Sequence, residues 1–287
     1  MTTTSSTNEL MLGTYDCIFK AIMLDPENRD YLKEIIHYVT GISLNELENI
    51  RVENIEHIIN HRKNKKMQSD IIVSVGNRIL NIEMNKNYYP GVFNKNSAYL
   101  QKIGASLYVT NKNYLDTKQI IQINFDNFSY FKENQEIYKF LYKEETSNII
   151  LPENTIKYHV DLAYIYDKCY NKPVENLSKF ERCCLLLMAE TKEFASKIAG
   201  NDRIMKKVYE KLESLNSDEQ IIGLYDAEKE AERIKETQLL GAERKGMEKG
   251  IKQRNIEIAK NMLKNSVDIL DIAKYTELTV EEIESLR

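Results

Sequence analysis

The segment that most constrains this chain is SDIIVSVGNRILNIEMNKNYYPG, residues 69–91, because it reads as a hairpin of fixed register. The runs 70–75 and 78–84 are rich in β-branched and apolar residues, and Gly76-Asn77 between them is a two-residue loop with glycine first. If Val75 faces Arg78 across that loop, Asp70 faces Glu83. Asn85 then lies opposite Gln68 on the same side of the sheet, since side chains alternate with period two. Facing carboxylates have Cβ atoms roughly 5 Å apart and repel by up to about 1 kcal/mol. A divalent cation removes that cost, and hard cations such as magnesium take one or two carboxylates together with waters and phosphate oxygens. The same spacing also allows Asp70 to begin one strand and Glu83 to end another, both pointing into water.

Four stretches extend the signal: Tyr15-Asp16-Cys17-Ile18-Phe19-Lys20, Ser69-Asp70-Ile71-Ile72-Val73, Asn81-Ile82-Glu83-Met84-Asn85 and Ile121-Gln122-Ile123-Asn124-Phe125. Through them the first 165 residues or so resemble the PD-(D/E)XK nuclease superfamily, and within it the Rpn family of recombination-promoting nucleases and transposase-like proteins. The helical remainder is similar to tails found in the same family. The resemblance implies that Asp70 and Glu83 hold magnesium, with manganese as the alternative. It also implies that the third motif position, two residues after the glutamate, orients the attacking water. Asp16 matches an early acidic position in an Asp-x-x-Phe-Lys motif and could reach the same site.

The chain departs from the pattern at that third position, with Asn85 where lysine or glutamine is usual. An asparagine amide donates and accepts hydrogen bonds but carries no charge to stabilise a hydroxide. Lys86 is adjacent, yet strand parity aims it at the opposite face; Lys95 or Lys102 from the following helix could supply the charge instead. The activity implied is a magnesium-dependent DNA endonuclease in recombination or mobile-element biology. The Asn85 departure leaves a second reading open, a weakened nuclease fold used for protein interaction or oligomerisation.

The order helix, strands, helix, strand is that of an α/β domain. With the resemblance it implies a restriction-endonuclease-like core with a mixed central sheet, followed by an all-helical C-terminal region. Apolar positions predict helices on either side of Pro26, with the second ending before Gly41, a strand around residues 50–59, a helix over 92–108 and buried strands over 118–125 and 156–162. Residues 1–8 are expected to be disordered and 9–170 to form the nuclease-like domain. A helical domain over 171–225, a charged helical linker or coiled coil over 226–264 and a small helical module over 265–287 would follow. Gly241, Gly246 and Gly250 mark the linker as a hinge or as a helix held by a partner. In the last module Asp268 and Thr279 are candidate N-caps, and its acidic residues favour an interaction or oligomerisation module over DNA reading.

With 40 basic and 44 acidic residues the net charge is −4, so any attraction to DNA must be local. His61-Arg62-Lys63-Asn64-Lys65-Lys66 is one such local patch, and it also fits a solvated loop. Tyr88 and Tyr89 could stack on bases or close a core edge. Cys17, Cys169, Cys183 and Cys184 lack metal-site spacing and read as reduced core or half-buried residues, and the four histidines share no metal or triad spacing. Without a membrane-length apolar run or a signal-like start, the expected location is cytoplasmic.

Overall fold

A computed structural model describes residues 8–53, 70–107, 113 and 117–286. Helices α1 (Asp16–Met23) and α2 (Arg29–Thr40) flank a turn opened by Pro26, and Gly41 closes α2 at φ 77°, a left-handed conformation natural to glycine. A short α3 (Leu44–Leu47) leads to β1 (Arg51–Val52). The rest of the strand expected over 50–59, and the basic patch at 61–66, lie outside the described residues.

The hairpin of β2 (Ile71–Val75) and β3 (Arg78–Asn85) forms in the expected register, with Val75 opposite Arg78 and Ile71 opposite Ile82. Gly76 takes φ 53° in its loop, the positive value that glycine accepts there without strain. Then follow α4 (Val92–Leu107), β4 (Gln119–Asp126), β5 (Ile137–Phe140), β6 (Thr155–Asp161) and α5 (Leu162–Cys169). The six strands are ordered β1-β2-β3-β4-β6-β5, with β3, β4 and β6 mutually parallel and the other pairings antiparallel. The sequence reading missed β5, a four-residue edge strand too short to announce a period.

The two faces of this sheet differ in chemistry. Leu80, Ile82 and Met84 of β3, Ile121, Ile123 and Phe125 of β4, and Tyr158 and Val160 of β6 enter one large apolar core with α1 and α2. Phe19, fully buried, sets its ring 5.8 Å from that of Phe125, and such burial contributes roughly 2 kcal/mol. Helices α6 (Lys179–Leu187), α7 (Lys192–Ala199) and α8 (Arg203–Leu215) share this core, which is why residues up to Tyr225 form one compact unit.

By strand parity the opposite face carries Asn81, Glu83 and Asn85, then Gln122, Asn124 and Asp126, then Lys157, His159 and Asp161. A small apolar group, including Ile72, Ile79, Leu100, Ile103 and Ile120, lies on this side with α4.

The second unit begins at Asp226, inside a 46-residue helix α9 (Glu219–Lys264) that runs unbroken through Gly241, Gly246 and Gly250. Beyond it, α10 (Ile269–Thr276) and α11 (Val280–Glu284) are capped by Asp268 and by a Thr279/Glu282 capping box, as their sequence implies. Ile272, Leu278 and Ile283 form a small core with Ala259.

Candidate functional site

The hairpin register ends at Ile71 opposite Ile82, and strand parity puts the next residues, Asp70 and Glu83, on the polar face. Asp70 Oδ2 accepts the backbone N–H of Met84 at 2.7 Å, and its Oδ1 lies 3.7 Å from Lys20 Nζ. Lys20 in turn pairs with Asp16 at 2.8 Å, one helical turn back. Asp16 therefore reaches Asp70 through a shared lysine. Burial, and next the negative charge of Asp16, push the Asp70 pKa up to about 6. A second negative charge is costly at this point, and a bound cation relieves that cost.

Glu83 is fully buried, with Lys95 Nζ of α4 at 3.8 Å from its Oε2. The same Nζ donates to Asn85 Oδ1 at 3.3 Å. The Asn85 amide nitrogen donates to Asp126 Oδ1 at 2.8 Å, and Asp126 Oδ2 accepts from His159 Nδ1 at 2.7 Å. Both ends of Asn85 are thus taken by protein groups, which fix the amide and hold Lys95 against Glu83. Tyr99, one turn beyond Lys95, stands close enough that burial and then the charges of Glu83 and Asp70 raise its pKa, keeping its hydroxyl a donor.

Among the sequence-derived candidates, Asp16, Asp70, Glu83, Asn85 and Lys95 come together. Lys86 points to the opposite face, as parity requires, its Nζ 3.1 Å from the centre of the Tyr15 ring. Lys102, about two turns along α4, is half-buried and forms no ion pair among the described residues. Sequence reasoning quoted Lys20 within the Asp-x-x-Phe-Lys motif without giving it a role, and gave none to Tyr99, Asp126 or His159.

The donors suit a hard divalent cation: two carboxylates on one face, one of them destabilised in its charged form. Asp16, Asp70 and Glu83 do not converge as a trio. The one such trio among the described residues, with ligand atoms within 4.8 Å of one another, is Glu136, Cys169 and Glu181. There Lys168 Nζ already neutralises the carboxylates, at 2.5 Å from Glu136 and 3.1 Å from Glu181. Burial first, and Glu181 next, push the Cys169 thiol up to about 12, whereas a metal needs the thiolate.

A family model described as PD-(D/E)XK nuclease family transposase matches residues 14–242, most of the chain. This chain belongs to that family. No curated protein and no solved structure matches it. The match spans the hairpin, α4 and the parallel strands, so the polar face lies wholly within the family domain. Among the described residues no helix is long and apolar enough to cross a membrane.

Proposed function

We propose that this chain is a metal-dependent DNA endonuclease, with Asp70 and Glu83 holding magnesium or manganese and Lys95 standing in for the missing motif lysine. The observation that carries the reading is the contact of Lys95 Nζ with both Glu83 and Asn85, at 3.8 and 3.3 Å. The ammonium thereby reaches the side chain of the third motif position, although it starts from a different element. A divalent cation held by the two carboxylates neutralises charge on the phosphoryl oxygens and lowers the pKa of a bound water.

The chain's own groups do the rest. Lys95 stabilises the hydroxide left when the attacking water gives its proton to solvent. That hydroxide bonds to phosphorus as the P–O bond to the leaving strand breaks, and the leaving oxygen takes a proton from solvent water. Asn85 positions Lys95, and Asp126 with His159 holds Asn85. Lys20 offsets part of the negative charge shared by Asp16 and Asp70. Service in recombination or mobile-element biology, and self-association through the C-terminal helices, belong to the same reading. The latter is supported by the exposed Leu239, Leu240 and Met247 of α9.

A second reading rests on Asn85 itself: a fold without its motif lysine that serves protein interaction. Cleavage assays with and without divalent metal separate the two. Cutting that requires both metal and Asp70 supports the first, and a folded protein inert in either metal supports the second.

A further inference from the structure

Beside the polar face an open groove of about 330 Å³ is walled by Tyr130, Phe131, Phe140 and Tyr142 and floored by Lys157 and His159. Its rings are unusually available for an apolar surface. Tyr130 is 52 % exposed, Tyr142 54 % and Phe140 41 %. His159 joins the groove to the candidate site, because its ring stands edge-on to Phe140 at 5.5 Å while its Nδ1 binds Asp126. Tyr88, which follows the Glu83 strand, stacks on Tyr130 at 5.3 Å and an interplanar angle of 27°.

The floor adds a charge to this apolar surface. Lys157 Nζ donates to Ser97 Oγ at 2.7 Å and forms no ion pair with a carboxylate among the described residues. A half-buried ammonium without a counter-anion, beneath exposed aromatic faces, matches a ligand that presents a negative group and a flat π-system together.

We infer that this groove receives unpaired nucleotides: bases stack on Tyr130, Phe140 and Tyr142 while a backbone phosphate meets Lys157. The inference rests on the nuclease reading and narrows it to DNA with a single-stranded or unstacked segment next to the scissile bond. In an intact duplex the π-faces are covered by neighbouring base pairs and cannot reach the rings. Stacking of this kind tolerates any base, because every base has a π-face.

The test is fluorescence anisotropy on the full chain in EDTA, so that binding is read without cutting. Labelled single-stranded and duplex oligonucleotides of equal length are compared at one salt concentration, for the wild type, Tyr142→Ala, Tyr142→Phe and Lys157→Gln. The expected result is tighter binding of the single strand and a loss of about tenfold in Tyr142→Ala. Tyr142→Phe retains the affinity, and Lys157→Gln weakens binding with a shallower salt dependence. Equal affinity for both DNA forms, or no loss in Tyr142→Ala, overturns the inference. So does a change of oligomeric state in Tyr142→Ala at unchanged DNA affinity, since a second copy of the chain would then be the occupant. Metal-dependent cutting by the wild type, scored separately, distinguishes the failures: cutting without single-strand preference sinks only the groove, and ring-dependent binding without cutting sinks only the nuclease reading.

Discussion

Replacing Asp70 by asparagine should stabilise the metal-free protein above pH 6 and leave its stability unchanged near pH 4. Asp70 is largely buried, with only 15 % of its side chain exposed, beside Lys20 and within reach of the Asp16 charge, and its pKa rises from 3.8 to about 6. A carboxyl raised in this way binds its proton more tightly in the folded than in the unfolded chain. Stability therefore falls as pH climbs through the window between those two values, and the cost is complete above pH 6. Two units at about 1.4 kcal/mol each make that cost roughly 3 kcal/mol. Asparagine removes the charge and keeps an oxygen to accept the Met84 N–H. For a domain of this size the gain corresponds to roughly 6–12 °C in Tm. The assay is thermal unfolding of wild type and Asp70→Asn in EDTA from pH 4 to 8, each pair compared at one pH. Magnesium should then raise the Tm of the wild type and leave the variant unmoved. A variant no more stable than wild type at pH 7.5, or a gain that persists undiminished at pH 4, would refute the reasoning.

The other expectations concern the lysine, the motif position and the packing. Lys95→Met should slow metal-dependent cutting by about 10²–10³-fold while changing the Kd for DNA by no more than a few-fold, read from single-turnover rates and anisotropy. Asn85→Lys restores the usual motif residue on paper, yet it buries a second ammonium beside Lys95 and removes the amide that donates to Asp126 Oδ1. Lower Tm and no gain in rate are expected, and a tenfold faster enzyme would contradict the assignment of Lys95. Gly13→Ala sets a Cβ 2.8 Å from Leu187 O and 2.9 Å from its Cα, both backbone atoms. It should cost roughly 1–3 kcal/mol in chemical denaturation.

The hairpin was legible because its information is local. A glycine-first loop and two alternating runs are enough to fix which side chains share a face, and the register of Val75 with Arg78 forms as read. The caps at Asp268 and Thr279 were legible for the same reason. The chain from Asn85 through Asp126 to His159 was not, because its members arrive from strands that no short-range pattern pairs. Asp126 and His159 stand 33 residues apart and meet only once β4 and β6 lie parallel. A trace of that meeting was present, in polar residues at 122, 124 and 126 and again at 157, 159 and 161, within strands otherwise apolar. Read as alternation, those positions mark a buried polar face of the kind that folded proteins retain for function. Lys20 could have been found by its spacing of four from Asp16 on one helix. Lys95 was named as a candidate, but nothing in the order of residues separates it from Lys102. The difference lies in where α4 crosses the sheet.

The most direct test of the central claim is cleavage of plasmid and linear DNA by the full chain in magnesium or manganese. Metal-free protein and folded Asp70→Asn and Glu83→Gln, prepared identically, serve as controls. The account predicts cutting that requires the metal and is lost in both variants, whose circular dichroism stays that of the wild type. Cutting that survives either substitution, or a folded wild type inert toward single-stranded and duplex DNA in both metals, would contradict it.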